Sequence, residues 1–253
     1  MKKANDPRCL RQKQVAESPV LALITAAGSS SRMGDSGNKL FMDLCGKTVI
    51  RRCMEIFENS TLISAFLLTA APADLLRMRE EAKGLTKCLA VVSGGEERSE
   101  SVLFGLRALR KLSKASGDTL VLVHDGARPL LTEDKLRELI ETNRRAHCAV
   151  GLAVEVSDTM RVLRSDGKID YSPERRLIRA MQTPQAAELE LFLRALELAR
   201  EEHVQLSDDL EALARIGCPM QLVRGERSNI KITWPEDILV AKALLENKDK
   251  QQT

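Results

Sequence analysis

VLALITAAGSSSRMGDSGNK, residues 20–39, is the stretch from which the fold can be read. Val20 to Ile24 form an unbroken apolar run, the pattern of a strand buried on both faces. The run empties abruptly into Thr25-Ala26-Ala27-Gly28, three serines, and then Arg32, Gly34 and Lys39. Gly28 and its small neighbours leave backbone N–H groups open to close approach, and loops of this kind bind phosphates. Arg32 adds a planar donor fork and Lys39 a compact point charge, two complementary grips for a polyphosphate. Neither G-x-G-x-x-G nor G-x-x-x-x-G-K-[ST] occurs here, which excludes the dinucleotide fingerprint and the P-loop. The plainer alternative is a surface strand-to-helix turn with incidental charges.

Outward from this stretch, β-type runs alternate with amphipathic helical patterns. Strands are expected at residues 20–25, 65–69, 89–92, 119–123 and 149–154, and helices near 49–58, 73–83, 99–110 and 133–145. The alternation predicts an α/β fold, a mostly parallel sheet with helices on both faces. Pro72, Gly94-Gly95 and Gly126 punctuate the strand ends, so their loops should converge on one ligand crevice.

Over residues 157–179 the pattern breaks. Two short extended runs flank Asp166-Gly167, a hairpin signal of the type I′ class. A hairpin this polar buries little of its own surface. It is expected to pack on another chain as a dimerisation arm, with a solvent-exposed excursion of one protomer as the alternative. After Thr183-Pro184-Gln185 a helical pattern returns. Ser207-Asp208-Asp209 reads as a helix start, Gly217 as its stop and residues 221–224 as a strand. Pro235 followed by Glu236 and Asp237 opens a closing helix.

The length suits one large α/β domain, divided here into a disordered N-terminal extension at 1–18 and a single domain at 19–247. The extension is polar and basic, without the apolar centre of a signal peptide, and no stretch is long enough to span a bilayer. Aromatic residues make up 3% of the chain, too few for the stacking platforms of single-stranded nucleic-acid binders. A net charge of +3 is spread along the chain, which argues against a nucleic-acid or membrane surface. The six cysteines show no C-x-x-C spacing and read as reduced thiols of a cytoplasmic protein.

Three further constellations carry chemistry. His124-Asp125-Gly126-Ala127-Arg128-Pro129 follows the strongest strand, where a carboxylate at the carboxyl end is a frequent Mg²⁺ or hydroxyl ligand. Asp125 could equally cap the next turn, and His124 reads as a packed neighbour, having no visible triad partner. In Ser93-Gly94-Gly95-Glu96-Glu97-Arg98-Ser99-Glu100-Ser101, Ser99 or Ser101 could cap a helix while the paired glycines expose backbone edges able to read a base. Arg175 on the hairpin and Lys231 in a strand-like run, read with Arg32 and Lys39, describe a cationic pocket for several phosphates. Phosphoryl or nucleotidyl transfer needs little beyond positioning and charge stabilisation, and no nucleophile–base pair is evident.

AAGSSSRMG with Lys39, GGEERSESV, HDGARP, DTM, TPQ, SDD and NIKITWPED occur in the order seen in 2-C-methyl-D-erythritol 4-phosphate cytidylyltransferases, which the chain resembles from about Val20 to Leu245. The resemblance implies a Rossmann-like nucleotidyltransferase sheet and a β-arm, near 157–179, that interlocks two subunits of a homodimer. It implies that Ala26, Ala27 and Gly28 wrap the CTP phosphates, that Arg32 and Lys39 grip the triphosphate, and that Gly95, Glu96 and Ser101 read cytosine. Asp125 and Arg128 then lie beneath ribose and acceptor, Thr159, Arg175 and Thr183 hold methylerythritol phosphate, and Lys231 binds the acceptor and the transition state. Mg²⁺ is expected to accompany CTP, with Asp125 as its candidate ligand.

Some positions leave the family's pattern. Thr25 stands where proline is frequent, Asn38-Lys39-Leu40-Phe41 where Pro-Lys-Gln-Tyr is usual, and Gly126 where alanine is common. The expected partners are therefore CTP and a polyol phosphate. Ribitol 5-phosphate cytidylyl transfer on the same scaffold, and an inactive CTP-binding regulatory protein, are the alternatives.

Overall fold

The computed structural model describes residues 19–28 and 38–251. The expected extension at 1–18 and Arg32 lie outside the described residues. In chain order the strands are β1 (Val20–Ala26), β2 (Asp43–Leu44), β3 (Lys47–Thr48), β4 (Ala65–Ala70), β5 (Cys88–Ser93) and β6 (Leu120–Asp125). They continue as β7 (Ala149–Glu155), β8 (Val162–Leu163), β9 (Ile169–Tyr171), β10 (Arg179–Glu188) and β11 (Met220–Arg224). The helices are α1 (Val49–Asn59), α2 (Leu75–Glu81), α3 (Arg98–Ser113), α4 (Glu133–Ala146), α5 (Leu189–Glu201), α6 (Asp209–Arg215) and α7 (Pro235–Gln251).

Seven strands form one sheet in the order β11-β7-β10-β6-β1-β4-β5. Its pairs are parallel except where β10 meets β6 and β7. β1 shows why the sheet is covered twice. Val20, Ala22, Ile24 and Ala26 point into one apolar layer with α1, α4 and α7, while Leu21 and Leu23 point into the other with α3, α5 and α6. Successive strand side chains alternate between faces, so an unbroken apolar run is what a two-sided burial requires. Among the described residues, no helix is long and apolar enough to cross a membrane.

The structure corrects three expectations. Residues 179–188 form β10, a ten-residue reversed strand, and the helix after Gln185 begins only at Leu189. Arg-Ala-Met-Gln-Thr-Pro-Gln hid this strand because Gln182, Thr183 and Gln185 are buried in a hydrogen-bond network rather than facing water. The hairpin at Asp166-Gly167 forms, as β8 and β9, but not with a type I′ turn. Only Gly167 has positive φ, +80°, and its N–H donates to the Arg164 carbonyl at 2.9 Å. Type I′ demands positive φ at both central residues, and Asp166 instead uses Oδ1 to accept from the Lys168 N–H. Finally, Lys231 sits in an irregular loop between β11 and α7, not in a strand-like run.

Candidate active site

Parallel pairing brings the carboxyl ends of β1, β4, β5 and β6 to one edge. Thr25 lies opposite both Thr69 and Asp125, and Ala70 opposite Ser93. The loops after these strands therefore meet. A Cβ added at Gly94 would stand 2.4 Å from Ala27 Cβ and 2.6 Å from Ser101 Oγ, so only glycine lets the two loops touch. Ala26, Ala27, Gly28, Lys39, Glu96, Arg98, Ser101, Asp125 and Lys231 line a common cleft.

Lys39 opens a 3₁₀ turn, Lys39–Phe41. Asn38 builds that turn: its Oδ1 accepts from the Leu40 N–H at 3.0 Å, and its Nδ2 donates to Asp74 Oδ2 at 2.8 Å. The departure from proline at this position is thus met by a side-chain cap. Thr25, the other departure in this wall, donates its hydroxyl to the His124 carbonyl at 3.3 Å and lies 3.5 Å from Asp125 Oδ1.

Ser101 shapes the glycine loop instead of capping α3. Its Oγ accepts from the Gly95 N–H and donates to the Glu97 carbonyl, each at 3.0 Å, and Glu97 is the cap residue. Glu100 Oε2 accepts from the Glu96 N–H at 3.2 Å. The Glu96 side chain is exposed, on the cleft side.

Asp125 is the electrostatic centre. Its Oδ2 lies 2.9 Å from Lys231 Nζ and 3.4 Å from Arg128 Nε, and its Oδ1 3.3 Å from Arg98 Nε. Burial works against the charge, but the Arg98, Lys231 and Arg128 cations outweigh it and hold the carboxyl far below the usual carboxylate range. Asp125 is therefore an ionised counter-ion for three cations. Burial pulls the Arg128 guanidinium below its ordinary value, with Asp125 opposing.

Arg98 was not singled out by sequence reasoning. It is the first residue of α3, where the helix macrodipole disfavours a cation, and that misfit beside a glycine pair was the available signal. Its charge is compensated: burial opposes it, yet Asp209 and Asp125 keep it firmly protonated. Asp209, nearly wholly buried, meets Arg98 bidentately. Gln185 explains why a TPQ and an SDD occur together. Its Oε1 accepts from the N–H groups of Asp209 and Leu210, and its Nε2 donates to Asp208 Oδ2 at 2.8 Å, pinning the start of α6 to β10.

The buried polar side chains of the remaining motifs knot three segments together. Arg128 Nη1 donates to the Asn229 carbonyl at 2.9 Å, and Asn229 Nδ2 donates to the Thr183 carbonyl at 3.0 Å. The Ile232 N–H donates to the Ala127 carbonyl at 2.9 Å, which fixes the loop presenting Lys231. His124 is fully buried between Thr183 Oγ1 and the Arg128 carbonyl, and burial pushes its imidazole down to about 4, so it is neutral near pH 7.

Thr159 and Arg175 are not brought to this cleft. Both are exposed near the hairpin, where Arg175 Nη1 donates to the Ser157 carbonyl at 3.1 Å. Thr183 lies behind Asp125 and does not line the cleft. Among the described residues, no three His, Cys, Asp or Glu side chains converge to hold a metal ion.

Comparison with known proteins agrees with this geometry. The family model described as 2-C-methyl-D-erythritol 4-phosphate cytidylyltransferase matches residues 20–247. A 2-C-methyl-D-erythritol 4-phosphate cytidylyltransferase from Halalkalibacterium halodurans is 37% identical over 231 residues, covering 90% of this chain and 98% of its own. Its counterpart from Geobacter metallireducens is 38% identical over 232 residues, with 90% and 98% covered. The crystal structure of the 4-diphosphocytidyl-2C-methyl-D-erythritol synthase from Anaerococcus prevotii superposes with a TM-score of 0.78 at 28% identity, covering 90% of this chain and 99% of the other. Strand order, cleft and sequence motifs converge, and the chain belongs to the 2-C-methyl-D-erythritol 4-phosphate cytidylyltransferase family.

Proposed function

We propose that the chain transfers a cytidylyl group from CTP to 2-C-methyl-D-erythritol 4-phosphate, giving 4-diphosphocytidyl-2-C-methyl-D-erythritol and pyrophosphate in the non-mevalonate route to isoprenoid precursors. The observation that carries this reading is that Lys39 and Lys231, far apart in sequence, line one cleft whose wall is the small-residue turn Ala26-Ala27-Gly28. An oxygen of the acceptor phosphate bonds to the α-phosphorus, the α-phosphorus–oxygen bond to the β-phosphate breaks, and pyrophosphate leaves. The acceptor phosphate is already anionic, so no general base is needed. Lys39 and Lys231, with Arg32, offset the negative charge that accumulates at the α-phosphorus.

Asp125 serves as an anchor. Its contact with Lys231 Nζ aims the ammonium, and Arg128 stabilises the same loop from behind through the Asn229 carbonyl. Ser101 and Glu100 take up the Gly95 and Glu96 N–H groups and so hold in shape the loop that faces the cytosine edge, leaving the backbone carbonyls to accept from the base. Among the described residues the side chains do not form a protein cage for Mg²⁺, because the one buried carboxylate they place in the cleft already faces three cations. No step is routed through Asp125 as a metal ligand.

The arm supports a homodimer in which Thr159 and Arg175 reach the acceptor site of the second subunit. Met160, Leu163, Ile169, Tyr171 and Leu177 are all exposed there, an apolar surface that association would cover. The five described cysteines are free thiols, in keeping with a cytoplasmic single-domain enzyme spanning residues 19–247.

A pyrophosphate-release assay crossing CTP, UTP, ATP and GTP with methylerythritol and ribitol phosphates tests the reading. Release with CTP and methylerythritol phosphate is expected. Release only with ribitol phosphate would transfer the activity to that acceptor, and CTP binding without release would make the chain a regulatory binder.

A further inference from the structure

His124 and Thr183 form a closed hydrogen-bond chain behind the cleft whose proton positions can be read from the partners. His124 Nε2 is 3.0 Å from the Arg128 carbonyl oxygen. A carbonyl only accepts, so Nε2 carries the hydrogen. The ring is neutral, so Nδ1 is the bare nitrogen, and it lies 3.0 Å from Thr183 Oγ1. Thr183 must therefore donate its hydroxyl hydrogen to Nδ1. The same Oγ1 accepts from the Asp125 backbone N–H, again at 3.0 Å. Every hydrogen is then assigned, from Asp125 N–H to Thr183 O–H to His124, and from His124 to the Arg128 carbonyl. The chain ties both ends of the Asp125-Gly126-Ala127-Arg128 turn to one rigid ring.

We propose that His124 is a positioning residue for Asp125 and Arg128, and that Thr183 is its relay, with no hydroxyl hydrogen left to offer a substrate phosphate. This differs from the role the resemblance implies for Thr183, which is holding the acceptor directly. Burial agrees: Thr183 is 4% exposed and His124 0%. The sequence pattern gives no hint of the link, because 59 positions separate the two residues. Asp125 in turn holds Lys231, so a loosened ring would misplace the charges around the α-phosphorus without removing any contact to substrate. The kinetic consequences rest on the cytidylyl-transfer reading, whereas the tautomer does not.

Nitrogen-15 NMR of the uniformly labelled protein near pH 7 tests the tautomer without any substrate. His124 is expected to show a protonated Nε2 and a bare Nδ1; a protonated Nδ1 overturns the proposal. For the kinetic arm, Thr183→Val and His124→Phe are each expected to lower kcat roughly tenfold or more while leaving KM for both substrates nearly unchanged. The double variant is expected to lose no more than the worse single one, as for residues that act as a unit. His124→Asn, which can place an amide oxygen near the former Nδ1, is expected to recover part of the loss. A Thr183→Val effect confined to a raised acceptor KM, with His124→Phe silent, overturns the proposal. If His124→Phe does not fold, Thr183→Val and the wild-type NMR signal decide alone. Loss of all turnover in the wild type, with the expected tautomer present, would indict the cytidylyl-transfer reading and not the relay.

Discussion

The Arg98 guanidinium holds Asp209 through two parallel hydrogen bonds, Nη1 to Oδ1 and Nη2 to Oδ2, each 2.8 Å long. The remaining Nε turns to Asp125 Oδ1 at 3.3 Å, so α6 orients a cation against the central carboxylate of the cleft. Asp209→Asn keeps the shape and removes the charge. Arg98 retains 31% side-chain exposure and its second partner, Asp125. The loss should therefore fall below that of a fully buried pair, at roughly 2 kcal/mol in urea unfolding, with a raised KM for CTP. An unchanged urea midpoint and an unchanged KM would show that this pair neither stabilises α6 nor orients Arg98.

Lys39→Ala and Lys231→Ala remove the two described cations proposed to face the triphosphate. Each is expected to cut kcat by about a hundredfold or more, in the range found for a single donor at a developing anion, while circular dichroism and the thermal midpoint stay close to wild type. Neither lysine is fully buried, and Lys231 keeps 41% side-chain exposure, so the fold does not depend on them. Near-normal turnover in both variants would end the charge-stabilisation mechanism.

Legibility in the sequence followed the physics of each segment. β1 and β6 are unbroken apolar runs because both faces of the central sheet are covered, and such runs announce themselves. β10 did not, since Gln182, Thr183 and Gln185 bury polar atoms against partners from distant segments, and local hydropathy carries no trace of that pairing. The same blindness hid Arg98 and the function of Gln185. Lys39 and Asp125 were visible because a strand end and a glycine turn mark a crevice, and Lys231 through the motif NIKITWPED that resembles the family's. The contact of Asp125 with Lys231 joins segments distant in sequence, and local pattern carries no trace of it.

His124 makes stability depend on pH in a defined window. Burial lowers its folded value to about 4 from 6.5, so the unfolded chain binds a proton that the folded one refuses. Its contribution is complete above pH 6.5 and is lost as pH falls towards 4, amounting to about 3 kcal/mol across the window. Asp125 contributes with the same sign, but its loss begins only near the ordinary carboxylate range. Urea unfolding of wild type and His124→Asn at pH 7, 6, 5 and 4.5 isolates the imidazole. The gap between the two proteins should narrow steadily on acidification, and a pH-independent gap would mean that the buried ring is not refusing the proton.

Asn38 directly precedes Lys39 and departs from the pattern the resemblance implies, and its geometry yields a sharper test than deletion alone. Its backbone sits at φ −75° and ψ 115°, values that proline adopts without strain. The asparagine holds the turn by its side chain, through the Leu40 N–H and Asp74, whereas proline would hold it by restricting the backbone. Two different devices should therefore place Lys39 in the same position. Asn38→Ala has neither device, and is expected to lose about 1 kcal/mol of stability and several-fold in kcat. Asn38→Pro is expected to stay near wild type in both, and Asp74→Ala to fall between. If Asn38→Pro behaves like Asn38→Ala, backbone restriction does not replace the side-chain cap, and the two devices are not equivalent.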